Sequence, residues 1–444
     1  MPRVAAWTCL REGSKMPLRE VDRVARARGL DDRDRAMVRA LVGTEVRRRA
    51  TLRALVSYFA RGRPPADLTA HMRLGLVQLY FFDRVPDHAA VSTTVGATAD
   101  TLGRSKGRYV NAVLRAAIAA RREGKSDDPR RDLIGLVGRD LHLAEQVFRD
   151  PVTHPLLWAE DALSIPSNLM RRWEQRYGFA RACELGRTFL VEPALSVRVV
   201  GVARASAADE LASADPRPAA HPDMLVCASD RTAAVTGSAA FAEGRVTIQG
   251  ATALAAAELV GASEGERVLD LCTSPGGKTA VLAGSGARVV AVENDLGRIG
   301  RLRETLERLR VADRVQIVAA DARMLFKGGS FDAVLVDAPC SNTGVLGARP
   351  GARWRFGPRN LASLVSLQEG LLAAGAARVR PGGRLVWSTC SLEPEENGQL
   401  VRRFVAEHSG WTLVEEQEAL PAASPAPHPI GPTDGGYAAL LKRG

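Results

Sequence analysis

From about residue 250 onward the chain alternates short apolar runs, rich in valine and leucine, with helix-like stretches, and this alternation restricts that part to a parallel sheet flanked by helices. Strands are expected near 266–271, 287–292, 315–319, 333–337, 384–389 and 411–415, with a last one near 437–442. Between the second and third, Ile299, Leu302, Leu306 and Leu309 recur at spacings of 3, 4 and 3, which gives a helix one apolar face to lay on the sheet. The Pro-rich stretch 421–432 reads as a loop before the closing strand. In open sheets of this kind ligands bind beyond the carboxyl ends of the strands, so function is sought in the residues that follow each run.

The first run, Arg267 to Leu271, leads into Cys272-Thr273-Ser274-Pro275-Gly276-Gly277-Lys278-Thr279 and then a helix. Glycines here let a ligand approach the backbone, and the first N–H groups of the helix are free to donate. Gly277-Lys278-Thr279 after a strand also suits a phosphate-binding P-loop, but that motif needs glycine five residues before Gly277, where this chain has Cys272. The second run ends at Glu293, where an acid can accept hydrogen bonds from both ribose hydroxyls of an adenosine cofactor. Asp321, after the third run, is placed for the adenine amino group. A turn and two acids at successive strand ends point to a crevice for a dinucleotide or for S-adenosylmethionine (SAM).

The fourth run gives Val334-Leu335-Val336-Asp337-Ala338-Pro339-Cys340 and the fifth Leu385-Val386-Trp387-Ser388-Thr389-Cys390, followed by Glu393-Pro394-Glu395-Glu396-Asn397, whose acids suit the start of a helix. A cysteine at the end of a buried strand is usually a small apolar filler. Two of them at the same edge of one sheet can instead face one pocket, which suggests a thiol nucleophile beside a nucleotide-type cofactor. The six cysteines are far apart, with no CxxC pair and no neighbouring histidine, so neither a structural zinc site nor a disulfide is expected.

Residues 1–125 read as an all-helical domain, with a dense apolar helix from Asp67 to Phe82, stopped before Pro86, and another at about 108–121. They carry 25 Lys and Arg against 12 Asp and Glu, whereas the rest of the chain carries 36 against 38, so the whole +11 excess lies in this first part. Such asymmetry favours a polyanionic partner such as a nucleic acid. Residues 126–248 are expected to hold linker helices and a small α+β module with strands around Val197–Val200 and Arg245–Ile248; within them the polar stretch near 123–135 reads as a linker. No apolar run reaches the ~20 residues needed to span a bilayer and the first residues lack a signal-peptide core, so a cytoplasmic protein without membrane contact is expected.

On these motifs residues 249–444 resemble the Rossmann-like catalytic domain of SAM-dependent RNA cytosine-C5 methyltransferases. Leu74-Gly75-Leu76-Val77-Gln78-Leu79, Asp83-Arg84-Val85-Pro86-Asp87-His88 and Val110-Asn111-Ala112-Val113-Leu114-Arg115 make residues 1–125 resemble NusB. The combination is similar to the RsmB/Sun (Fmu) family of 16S rRNA methyltransferases. The resemblance implies SAM held by Cys272, Thr273, Ser274, Pro275, Gly276, Gly277 and Lys278 with Glu293, Asp321 and Asp337. It implies Cys390 as the nucleophile on cytosine C6, Cys340 as the group that assists elimination, and Asp337 as the partner of cytosine N3. It also implies a single-stranded or loop rRNA substrate and a metal-free, monomeric enzyme. The chain departs from the family's usual pattern at Thr273-Ser274, Glu293, Val200 and Gly250. Two rivals are a DNA cytosine methyltransferase, in which the Pro-Cys cysteine is itself the nucleophile, and a non-catalytic RNA-binding assembly factor.

Overall fold

The computed structural model describes residues 1–11, 16–136, 138–324, 331–422 and 433–444. The chain forms two compact units: residues 1–191 together with 349–357, and residues 192–348 together with 358–444. Most of the expected 421–432 loop lies outside the described residues.

The first unit opens with helices α1 (Pro2–Arg11), α2 (Pro17–Ala27), α3 (Asp32–Arg47), α4 (Arg49–Phe59), α5 (Ala66–Phe81), α6 (Asp87–Leu102) and α7 (Arg104–Ala120). Because α5 is apolar on nearly all sides it is buried, Leu68, Met72, Leu74, Leu76, Val77, Leu79 and Tyr80 all being core. Its polar groups are satisfied inside. Gln78 accepts from Arg3 Nε and Nη2 at 3.0 and 2.8 Å and donates to Thr94 Oγ1 at 3.1 Å, and the Tyr80 hydroxyl donates to the Ala117 carbonyl at 2.8 Å.

The stretch that reads as a linker is instead a small antiparallel sheet of β1 (Arg121–Glu123), β2 (Asp132–Leu133) and β3 (Leu141–Leu143), in the order β1-β3-β2. Leu133, Leu141 and Leu143 point into the core, a burial too short to register as a strand pattern in the sequence. Helices α8 (Pro155–Leu163), α9 (Ser167–Tyr177) and α10 (Phe179–Thr188) complete the chain's first run through this unit. The distant segment 349–357 joins them through Arg353. Its fully buried guanidinium donates to the carbonyls of Arg47 (3.2 Å), Ser164 (3.1 Å) and Phe189 (3.0 Å).

The second unit begins with β4 (Leu195–Val199), α11 (Arg204–Glu210), β5 (Arg217–Pro218), β6 (Met224–Cys227), α12 (Thr232–Thr236), α13 (Ala239–Ala242) and β7 (Val246–Ile248). The four strands form an antiparallel sheet in the order β5-β6-β4-β7. Next come α14 (Ala251–Glu258), β8 (Arg267–Leu271), α15 (Gly277–Gly284), β9 (Arg288–Glu293), α16 (Leu296–Arg308), β10 (Val315–Ala319) and β11 (Phe331–Asp337). The unit closes with α17 (Pro358–Ala376), β12 (Val379–Thr389), α18 (Gly398–Glu407), β13 (Trp411–Ala419) and β14 (Gly436–Arg443).

The large sheet runs β10-β9-β8-β11-β12-β14-β13, parallel through β12, with β14 antiparallel to both of its neighbours. Chain order reverses on either side of β8, which makes the carboxyl ends of β8 and β11 the topological switch point. Register does the rest. Asp337 pairs with Ser388, and the Ala338 N–H extends the ladder to the Ser388 carbonyl at 2.9 Å, so the chains carrying Cys340 and Cys390 leave the sheet side by side. Among the described residues no helix is long and apolar enough to cross a membrane.

Candidate active site

Beyond β8 the backbone turns sharply. Cys272 has φ 64°, the Ser274–Pro275 bond is cis, and Gly276 at φ 102° caps α15. Gly276 is required twice over: its φ disfavours a side chain, and a Cβ there would lie 2.7 Å from Leu302 Cδ1. The Ser274 N–H donates to Glu293 Oε2 at 3.2 Å and the Asp295 N–H to Oε1 at 3.0 Å, which fixes this buried carboxylate at the rim of the turn. Asp321 accepts from the Arg323 N–H at 2.9 Å and from Arg323 Nη2 at 2.6 Å. Asp270, wholly buried in β8, accepts the Thr279 hydroxyl at 2.6 Å on one oxygen, and the other has no partner among the described residues.

These acids share one electrostatic neighbourhood. Burial, and then the charges of Asp337, Glu293, Asp270 and Asp321, push the Cys272 thiol up to about 12, which keeps it protonated and inert. Burial likewise raises Asp270 to about 7, with Asp337 adding to the effect. Lys278, the second residue of α15, places Nζ 2.8 Å from Asp337 Oδ2. Burial disfavours its charge, but attraction to Asp337, Cys390 and Asp270 outweighs that and holds the ammonium above its ordinary value.

The two strand-end thiols meet. Cys340 Sγ lies 3.2 Å from Cys390 Sγ, and Cys390 Sγ lies 3.3 Å from Asn342 Oδ1. Cys340 is buried and Cys390 partly exposed, so Cys390 has the better access to a ligand. The hydrogen bond to Cys390, followed by burial, raises the Cys340 pKa well above that of a free thiol. Cys340 therefore keeps its proton and can donate it towards Cys390 sulfur. The site thus brings together Cys340, Cys390, Asp337 and Lys278, with the turn, Glu293 and Asp321 along the same edge.

Residues 257–428 match the family described as 16S rRNA methyltransferase RsmB/F, and residues 10–119 match the NusB family. A probable ribosomal RNA small subunit methyltransferase B of Synechocystis is 32% identical over 407 residues, covering 88% of this chain and 85% of that protein. The ribosomal RNA small subunit methyltransferase B of Yersinia pseudotuberculosis serotype O:3 is 30% identical, covering 94% and 92%. The chain belongs to the ribosomal RNA small subunit methyltransferase B family.

Among solved structures, PH0851 superposes with a TM-score of 0.74 over 100% of this chain and 99% of its own, at 21% identity. NSun6 from Pyrococcus horikoshii with SFG gives 0.52 over 63% of this chain and 98% of its own, at 20% identity. Both likenesses speak for the fold. In this member of the methyltransferase B family the sequence reading missed one residue at the site. Glu396, read as a helix-opening acid, is fully buried behind the two cysteine loops. The one available signal was its place among five residues, 393–397, that hold three acids directly after a buried strand.

Proposed function

We propose that the protein methylates C5 of a cytidine in small-subunit (16S) rRNA, with SAM as the methyl donor and Cys390 as a covalent nucleophile. The observation that carries this reading is the 3.2 Å approach of the Cys340 and Cys390 sulfurs at the switch-point edge of the sheet. An assembly factor with no chemistry has no use for two thiols held together beside a Lys278–Asp337 ion pair.

The residues at the edge suit an adenosyl cofactor. Thr273 Oγ1 and both polar atoms of the Gln249 amide are buried without a partner among the described residues, and Gln249 flanks Gly277, where a Cβ would stand 3.5 Å from its Cδ. Unpaired buried polar groups beside a glycine turn fit a site completed by a ligand. In this reading the turn from Cys272 to Lys278 holds SAM, with Glu293 on the ribose and Asp321 on the adenine. SAM supplies an electrophilic methyl group. SFG, named with the NSun6 neighbour, is a SAM analogue.

Cytosine C5 is too weakly nucleophilic to take that methyl unaided. After Cys390 gives its proton to water, attack of its sulfur on C6 forms the S–C6 bond and pushes electrons towards N3 and O2, where a proton relayed from the Lys278 ammonium through Asp337 to N3 neutralises them and returns when the S–C6 bond breaks. C5 then carries enamine character and can accept the methyl. The C5 proton is lost, the S–C6 bond breaks and the aromatic ring returns. Cys340 fits the last step. Once Cys390 is bound in the adduct, its hydrogen bond with Cys340, which raises the Cys340 pKa, is gone, and Cys340 can give its own proton to water and then, as the thiolate, take the one from C5.

The target base must leave its stack, which agrees with single-stranded or loop RNA. We assign much of the RNA affinity to residues 1–125. There Arg61, Arg63, Lys106, Ser105 and Tyr109 line a cavity of about 370 Å³, and none of its three basic side chains makes an ion pair among the described residues. Bisulfite sequencing of 16S rRNA incubated with the protein and SAM tests the whole reading: one newly protected cytidine is expected, and methylation of any atom other than C5 would overturn it.

A further inference from the structure

Behind the two thiols lies a side chain that the sequence marks only as a helix-opening acid. Glu396 follows β12 by seven residues and is 0% exposed. Its Oε1 accepts the Ser341 N–H and Gln368 Nε2, each at 2.9 Å, and its Oε2 accepts the hydroxyls of both Ser341 and Ser391. Ser341 directly follows Cys340 and Ser391 directly follows Cys390, so one carboxylate ties both thiol-bearing loops.

The carboxylate is itself fixed. Trp387 Nε1 donates to the Glu396 carbonyl at 3.0 Å, and Gln368 Nε2 also reaches the Pro339 carbonyl at 2.8 Å, just before Cys340. Next in the chain, Asn397 accepts the Thr389 hydroxyl at 2.6 Å and donates to the Ser391 carbonyl at 2.9 Å, bracketing Cys390 from both sides. A buried carboxylate is costly unless its lone pairs are filled, and here the groups that fill them belong to the two loops whose spacing the chemistry needs.

We propose that Glu396 is a positioning residue that sets the distance between the Cys340 and Cys390 sulfurs. It touches neither substrate nor cofactor. Its catalytic consequence rests on the covalent mechanism proposed above, but its effect on the thiol spacing does not.

The spacing can be read without methylation by oxidising the full-length protein with diamide. The two thiols give up two electrons and two protons, the diamide N=N bond is reduced to a hydrazine, and a Cys340–Cys390 disulfide forms, seen as a linked peptide in non-reducing mass spectrometry. Wild type should link rapidly. Glu396→Ala should link about tenfold more slowly while binding SAM as wild type does, because the bonds lost hold the loops and not the cofactor turn. Glu396→Gln should stay within about twofold of wild type, since its carbonyl oxygen can keep the Ser341 N–H and Gln368 bonds while its amide donates to the two serine hydroxyls.

Should Glu396→Ala fail to bind SAM, Ser391→Ala, which cuts only one tie, should still slow linkage about threefold. The proposal is overturned if a SAM-binding Glu396→Ala protein, or failing that Ser391→Ala, links as fast as wild type. It is equally overturned if Glu396→Gln is as slow as Glu396→Ala, which would make charge and not tethering the cause. If wild type links rapidly and Glu396→Ala slowly but wild type forms no 5-methylcytidine, the covalent mechanism falls and the tether stands.

Discussion

Lys278 Nζ and Asp337 Oδ2 are joined at 2.8 Å across the switch point, one from the first turn of α15 and the other from the last residue of β11. The pair links the Cys272–Lys278 turn to the cysteine loop, because Asp337 lies three residues before Cys340. The two side chains are 15% and 32% exposed, so each charge is partly desolvated and removing one leaves its partner without its counter-charge.

Lys278→Met should therefore lower the single-turnover methylation rate by about a hundredfold, and Asp337→Asn by a similar factor. If the two act as a unit, the double variant should fall little further than the worse single one. Multiplying effects, measured under saturating SAM, would show that they work independently.

Asp270 gives a pH prediction. Burial raises its folded pKa to about 7, above the 3.8 of an ordinary aspartate. A raised acid binds its proton more tightly in the folded state, so its stabilising contribution is complete below the unfolded pKa and is lost as pH rises through the folded one. Between pH 4 and 7 the loss amounts to about 4 kcal/mol at most. Asp270→Asn, which cannot ionise, should gain stability over wild type as pH rises from 5 to 8 in urea titrations. Parallel wild-type and variant curves would show that Asp270 titrates normally.

Much of the sheet could be read in the sequence because each strand is a short run rich in Val and Leu, and the candidate residues either close that run, as Glu293 and Asp337 do, or follow it directly, as Cys390 does. What could not be read depends on contacts remote in the chain. Nothing local marks Arg353 as a core residue, since its partners at Arg47, Ser164 and Phe189 lie more than 160 positions away. Glu396 has the composition of a surface acid and is buried only because Ser341, Ser391 and Gln368 converge on it. The β1-β3-β2 sheet escaped because three short strands carry too few residues to show a period.

The basic cavity of the first unit can be tested by salt. Arg61 and Arg63 follow α4, and Lys106 lies in the first turn of α7. If all three contact phosphates, replacing them together by alanine should reduce the slope of log affinity against log salt by about 2. RNA KM should rise while kcat and SAM affinity hold. An unchanged slope would place the phosphate contacts elsewhere.

The two thiols are separable by what each leaves behind. Cys390→Ala removes the sulfur proposed to attack C6, so it should lose methylation while still binding SAM. Cys340→Ala keeps the nucleophile and removes the group proposed to take the C5 proton. It should attack and methylate, then fail to release, accumulating a denaturant-resistant protein–RNA adduct that runs as a retarded band on a denaturing gel. Full yield of the adduct should require SAM, because elimination stalls only after C5 is methylated, and the double variant should give none. The 3.2 Å separation adds a constraint: the two sulfurs are close enough that the exposure of Cys390 against the burial of Cys340 is the argument for assigning the proposed attack to Cys390. An adduct from Cys390→Ala instead would reverse the roles and make the enzyme work as DNA cytosine methyltransferases do. Active single variants without any adduct would remove these cysteines from the covalent chemistry.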